Sequence, residues 1–186
     1  MYKNTSVQGY LDKLAARSPV PGGGASAALC AAMAAALVSM VVSFTLGKPK
    51  YAKYEKKLKD ILNKSESLRK EFLRLVDLDA IAYKSKNIRD ALNVPFMVAR
   101  LCIEGIKLCP ALIKQGNINL ISDVVVAAIF FEAGFASACF NVEINLKNLN
   151  DKKFSQMVRG ELNQKNRLMK RIRAQTEERV GEIIRG

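Results

Sequence analysis

A chain of 186 residues with 49% apolar side chains is long enough for one cored domain and too apolar for disorder. Its net charge of +13 permits nucleic acid, an acidic membrane surface or a small polyanion as partner, and selects none of them. Histidine is absent, which excludes imidazole as base, relay or metal ligand and leaves carboxylates, lysine, tyrosine or the substrate itself.

Only five prolines and eleven glycines punctuate the chain, so long helices are favoured over many short strands. The pattern predicts an all-α single domain over residues 1–186, a bundle of five to six helices with long apolar helices at its centre. Val7 to Ala16 reads as a short amphipathic helix with Val7, Tyr10, Leu11 and Leu14 on one stripe. Ser18-Pro19-Val20-Pro21 stops it, because each proline restricts the residue before it. Pro21-Gly22-Gly23-Gly24 then launches the central helix.

Ala25 to Leu46 carries no charge, and 22 residues are enough to cross a bilayer. Over half of them are Ala, Ser, Thr or Cys, which insert weakly, and no aromatic belt brackets them. The stretch therefore reads as the buried centre of a soluble bundle, with no membrane partner. Gly47-Lys48-Pro49 closes it, with Gly47 as C-terminal cap.

Tyr51 to about Lys86 is a second long helix, with Leu58, Ile61, Leu68, Phe72 and Leu75 recurring at three- and four-residue steps. The pattern weakens over Asn87 to Asn93, and Pro95 suits the first turn of a third helix. Pro110 is predicted to kink that helix and Gly116 to end it. Ser122 is a natural N-cap and Asp123 suits the first turn of a fourth helix, apolar on all sides, that runs to about Asn145. A charged, weakly amphipathic helix follows from Asp151 to about Ile184. Two apolar helices are more than a monomer of this size readily covers, so a homodimer is expected.

Cys30, Cys102, Cys109 and Cys139 all lie in apolar stretches without C-x-x-C spacing. They read as buried free thiols of a cytoplasmic protein, and no metal site is expected.

Four constellations can carry chemistry. The glycine run sits where a helix leaves its first amides unpaired, which suits a phosphate or carboxylate, or serves equally as a tight turn. It is neither a P-loop nor a G-x-G-x-x-G turn. Asp77 and Asp79 point different ways from one helix; Asp79 shares a side with Leu75, Ala82 and Tyr83 and is the better inward candidate, unless both are solvated. Asp123 precedes an apolar run and can stand at the mouth of a dry pocket, or be only a favourable helix-start charge. Asn141 and Asn145 share a helical face, where they can hold a heterocycle or satisfy a loop.

These segments, in this order, resemble the cyclodeaminase/cyclohydrolase domain of the formiminotransferase-cyclodeaminase family. The matching residues are Pro21-Gly22-Gly23-Gly24-Ala25-Ser26, Gly47-Lys48 with Tyr51, Asp79-Ala80 with Ala82-Tyr83, Gly116-Asn117 through Ser122-Asp123 with Val126-Ala127, and Asn141-Val142 through Ile144-Asn145-Leu146. The resemblance implies a dimeric helical bundle acting on tetrahydrofolate derivatives. Such enzymes close formimino-tetrahydrofolate to the methenyl form with loss of ammonia, or interconvert methenyl and formyl forms with water. It implies Asp123 as the catalytic carboxylate with Asp79 second, and Gly22, Gly23, Gly24, Ser26, Lys48, Ser122, Asn141 and Asn145 around the substrate. No tightly bound cofactor is implied, since a carboxylate can stabilise the cation and move the proton. Lys48, Lys50 and Lys84 can face a polyglutamate tail or belong to a generally basic surface. The chain departs from the family at Leu78, where a Glu is usual, and after Tyr83, where the family carries a longer segment. That departure motivates an alternative, a divergent helical protein binding a folate or another anion without turnover. Nucleic-acid binding rests on charge alone, with no aromatic platform or known motif beside it.

Overall fold

The computed structural model describes residues 1–186 and contains seven α-helices and no strand. They are α1 (Val7–Ala15), α2 (Gly23–Ser43), α3 (Glu55–Lys84), α4 (Ile88–Ile106), α5 (Cys109–Gln115), α6 (Ile121–Lys147) and α7 (Lys152–Arg185), with short 3₁₀ turns at Tyr2–Asn4, Pro49–Tyr54 and Ile118–Leu120. The all-α bundle stands as expected, with more helices than the sequence pattern predicted.

The extra helix arises at the prolines. Asn87 caps α4 by accepting the amides of Arg89 and Asp90, so this helix starts seven residues before Pro95 and holds Pro95 inside it rather than in its first turn. Pro110 does not kink a continuous helix. The chain breaks at Lys107–Leu108 and Pro110 occupies the first turn of α5, where a missing N–H costs nothing. Ser122 is not the N-cap of α6 either: the cap position is Leu120, and Ser122 lies exposed in the first turn. Helix α2 ends at Ser43, and Gly47 (φ +78°) serves the turn beyond it rather than the cap.

Helix α2 is the axis of the bundle. Twelve of its 21 residues are buried, mostly alanines whose small side chains let α3 and α6 approach closely. Both neighbours run antiparallel to it. Against α3, Ser39 meets Ser65 at 2.8 Å and Ala25 meets Asp79. Against α6, the Cys30 thiol reaches the Phe130 carbonyl at 3.4 Å, and Gly134 fits beside Ala27 and Ala31, where a larger residue would push the helices apart. Helix α4 closes the rear of this layer and α7 lies along α6.

Two helices, Gly23–Ser43 and the stretch Ile118–Lys147, are long and apolar enough to cross a membrane by length and composition. Within the bundle they leave one side open. Met33 and Phe44 on α2, and Val126 and Ile144 on α6, are all exposed. Because the helices are antiparallel and touch through Ala27, Ala31 and Gly134, both stripes turn to the same side and form one continuous apolar face.

Candidate functional site

The sequence-predicted site residues fall into two groups at opposite ends of the α2–α6 pair. The first gathers around the glycine run. Gly22 is the N-cap of α2 and offers no side chain, so the first turn of the helix depends on its neighbours. Asp79, near the end of α3, supplies one: its Oδ2 accepts the Ala25 amide at 2.9 Å. Its other oxygen lies against Gly24 so closely that a methyl group there would overlap the carboxylate. On the other flank, the Asn141 carboxamide rests in ordinary contact with Gly23. The amides of Gly23 and Gly24 have no intrahelical partner; Gly23 is exposed and Gly24 buried beside these two side chains.

Burial pushes the Asp79 carboxyl above the usual carboxylate range, and the Ala25 amide opposes this by favouring the ionised form. That is the environment of a group that exchanges a proton nearer neutrality than an ordinary aspartate. Asp77, two residues earlier, is turned away and buried. It accepts the backbone amides of Tyr2 and Lys3 and so anchors the N-terminal turn, a structural role.

Ser26 donates to the Gly22 carbonyl at 3.0 Å, which commits its proton to shaping the turn. Tyr10 stands behind it, with its hydroxyl 3.4 Å from Ser26 Oγ. Helical periodicity places Tyr10 on an apolar stripe of α1; in the structure its buried hydroxyl forms part of the site wall. Burial raises its pKa, the Ser26 contact lowers it and the Asp79 charge raises it. The available signal was a tyrosine alone on the buried stripe of a short helix, where a phenol needs a polar partner. Tyr2 packs edge-on against Tyr10 with ring centroids 6.3 Å apart and donates to the Val20 carbonyl, holding the approach to the turn. Asn145 is occupied within the protein: its Nδ2 bonds the Ala91 carbonyl at 2.8 Å and the Asn141 carbonyl at 2.9 Å, tying α6 to the start of α4.

The second group lies about 30 Å along α2, from its 21 residues at 1.5 Å each. Here Thr45 accepts the Asn117 amide at 2.9 Å, and the Tyr51 hydroxyl accepts that of Ile118 at 3.3 Å. These bonds set the start of α6 and with it Ser122 and the half-buried Asp123. Lys48 lies exposed at the same end, beside a small cavity with Thr45, Tyr51 and Leu58. Within one chain, then, Asp79, Asn141 and the glycine run come together, while Asp123, Ser122 and Lys48 do not join them.

The four cysteines are free thiols, and no three of the chain's Cys, Asp and Glu side chains are placed to hold a metal ion. Burial raises the thiol pKa of Cys109 and Cys139 to about 12, so neither is a ready nucleophile.

Known proteins share this chain's fold and part of its sequence. The sequence profile of the formiminotransferase-cyclodeaminase family matches residues 6–87 and 84–164. The two pieces overlap over residues 84–87, at the short turn between α3 and α4. A methenyltetrahydrofolate cyclohydrolase of Methylorubrum extorquens is 37% identical, with 84% of this chain and 86% of that protein covered. The mouse formimidoyltransferase-cyclodeaminase is 30% identical over 82% of this chain, which spans 32% of that longer protein. Among solved structures, a formiminotetrahydrofolate cyclodeaminase of Thermotoga maritima superposes with a TM-score of 0.94 at 28% identity, covering 99% of this chain and all of that one. With the family profile matched over most of the chain and the helical frame shared with the Thermotoga structure, the chain belongs to the formiminotransferase-cyclodeaminase family.

Proposed function

We propose that this protein is a folate-dependent one-carbon enzyme of the cyclodeaminase or methenyltetrahydrofolate cyclohydrolase type, acting in the cytoplasm as a homodimer. The observation that carries this reading is Asp79, a half-buried carboxylate of raised pKa held against the glycine turn. The relatives' names supply the substrate class.

Both reactions pass through a carbon that bridges two folate nitrogens and carries positive charge. A carboxylate in a partly dry site stabilises that charge and takes or returns the proton as ammonia or water leaves. The Gly23 and Gly24 amides offer donors to a substrate oxygen or ring nitrogen, and the Asn141 carboxamide offers a second edge to a heterocycle. No step requires a tightly held cofactor or a metal.

The apolar face of α2 and α6 supports the dimer. Two copies related by a two-fold axis at its centre would cover Met33, Phe44, Val126 and Ile144, and would oppose the ends of the pair. The glycine run and Asp79 of one copy would then stand opposite Asp123, Ser122 and Lys48 of the other. In that arrangement Asp123 and Asp79 serve one site, with two sites per dimer.

The test is direct absorbance assay of methenyl-tetrahydrofolate, starting from the formimino and from the formyl compound, with Asp79→Asn as control. Turnover of either that Asp79→Asn abolishes is expected; full activity in that variant removes Asp79 from the mechanism. The short α3–α4 turn favours a second reading, a folate binder without turnover. Saturable binding with no conversion of either compound selects it.

A further inference from the structure

A cleft of about 380 Å³ runs between α6 and α7 and is not used by the residues assigned so far. Its floor is apolar, formed by Phe135, Cys139 and Leu162, and Phe140 stands on its rim at 78% exposure. Three polar groups face it from α7: the carboxamides of Asn163 and Asn166, which make no hydrogen bond within the protein, and the ammonium of Lys170, which has no ion-pair partner. The other cation, Arg159, is already held by Glu143 at 2.9 Å. The cleft therefore combines an aromatic rim, an uncharged floor, amide donors and one uncommitted positive charge. Its volume falls in the range of small-molecule sites.

The cleft lies beside the proposed catalytic site along α6. Phe140 is the chain neighbour of Asn141, whose carboxamide lies on Gly23. A ligand whose reacting end sits at the glycine turn can pass over α6 at Phe140 and continue into the cleft.

We propose that this cleft takes the benzoyl-glutamate half of the folate substrate, with the benzoyl ring on Phe140 and a glutamyl carboxylate at Lys170 and Asn166. The inference rests on the folate reading above and adds to it a determinant for the far end of the substrate. Charge complementarity selects this occupant. An apolar peptide would strand the Lys170 charge, and a cationic ligand would meet it directly. A carboxylate on a partly exposed ammonium is worth little in isolation, so the contribution is one of affinity and not of rate.

The experiment compares dissociation constants for tetrahydrofolate and for tetrahydropteroate, which has the same ring system and benzoyl group without the glutamate. In the parent protein, loss of the glutamate should weaken binding roughly two- to fivefold. In Lys170→Glu that preference should vanish or reverse. Phe140→Ala should weaken both ligands together. Both side chains are exposed, so neither change disturbs the core, and thermal unfolding checks this. Equal binding of the two ligands by the parent, or an equal loss for both in Lys170→Glu, overturns the cleft assignment even where turnover is intact. A parent protein that neither binds nor converts folate overturns the functional reading, and this inference with it.

Discussion

Asp79 and Gly24 are fitted to one another: the carboxylate that accepts the Ala25 amide at 2.9 Å fills the space a side chain at residue 24 would need. The absence of a side chain at Gly24 thus lets an acid from α3 reach the first turn of α2. Gly24→Ala should displace the carboxylate, lower stability by about 1–3 kcal/mol and remove most activity. Gly23→Ala meets only ordinary contact with Asn141 and should remain close to the parent in unfolding midpoint. Equal behaviour of the two variants in denaturant titration and turnover would contradict this fit.

Asp79 also predicts a pH dependence with a definite sign. Its folded pKa is raised above the ordinary 3.8, so its contribution to stability is full below that value and is lost as pH rises through the raised one. Asp79→Asn removes this loss; it should match the parent at about pH 3 and exceed it in unfolding free energy near neutrality. Activity runs the other way, because a proton acceptor must be ionised. The parent rate should fall on the acid side at a pH above the ordinary carboxylate range, and any residual rate in Asp79→Asn should lack that limb.

Tyr10→Phe keeps the ring against Tyr2 and deletes the hydroxyl near Ser26. At 3.4 Å the lost contact is weak, so the cost at neutral pH should stay within about 1 kcal/mol. Burial raises the folded pKa above 10.0, so tyrosine's contribution is present below pH 10 and is lost as pH rises through the raised value. The Phe variant should therefore resist alkaline unfolding better than the parent, measured by circular dichroism from pH 9 upward. An identical alkaline midpoint would show that the hydroxyl is not buried in solution.

Much of this organisation was legible in the sequence for simple reasons. An uncharged alanine-rich run after Pro21-Gly22-Gly23-Gly24 has few places to go except the centre of a bundle, and α2 is there. Asp79 was identifiable as inward because its helical neighbours are apolar. The boundaries around proline were not legible. Asn87 supplies a side-chain cap that starts α4 well before Pro95, and a single helix through Pro110 cannot be told from two by periodicity alone. Tyr10 was missed because its partner, Ser26, is sixteen residues away across a turn. The separation of Asp123 from the glycine run depends on the antiparallel packing of α2 and α6, which no local pattern encodes.

The open face of α2 and α6 makes a prediction about assembly. Val126 sits on it and is exposed within its own chain, so Val126→Lys should leave the fold intact while placing a charge in the proposed contact between copies. Sedimentation should show a dimer for the parent and a shift toward monomer for the variant, with the helical signal unchanged. Loss of activity should accompany the shift. A parent that is monomeric at all concentrations, or a monomeric variant with full turnover, would eliminate the shared site.

The most discriminating prediction concerns Asp79 and Asp123 together. On α6, Asp123 lies 18 residues before Asn141, about 27 Å along the helix, so one chain cannot place it beside the glycine run. In a two-fold dimer, each site takes the glycine turn and Asp79 from one copy and Asp123 from the other. Asp79→Asn and Asp123→Asn should each be inactive alone. When the two are unfolded together and refolded as a mixture, a mixed dimer has both changes in one site and neither in the other. Random pairing should then restore about one quarter of the parent's activity from two inactive proteins. Sites contained within single chains would give no recovery, since every chain carries one of the two changes. The recovered activity should also disappear when Val126→Lys is added to both chains, because a site shared between copies needs the contact that Val126→Lys is expected to break.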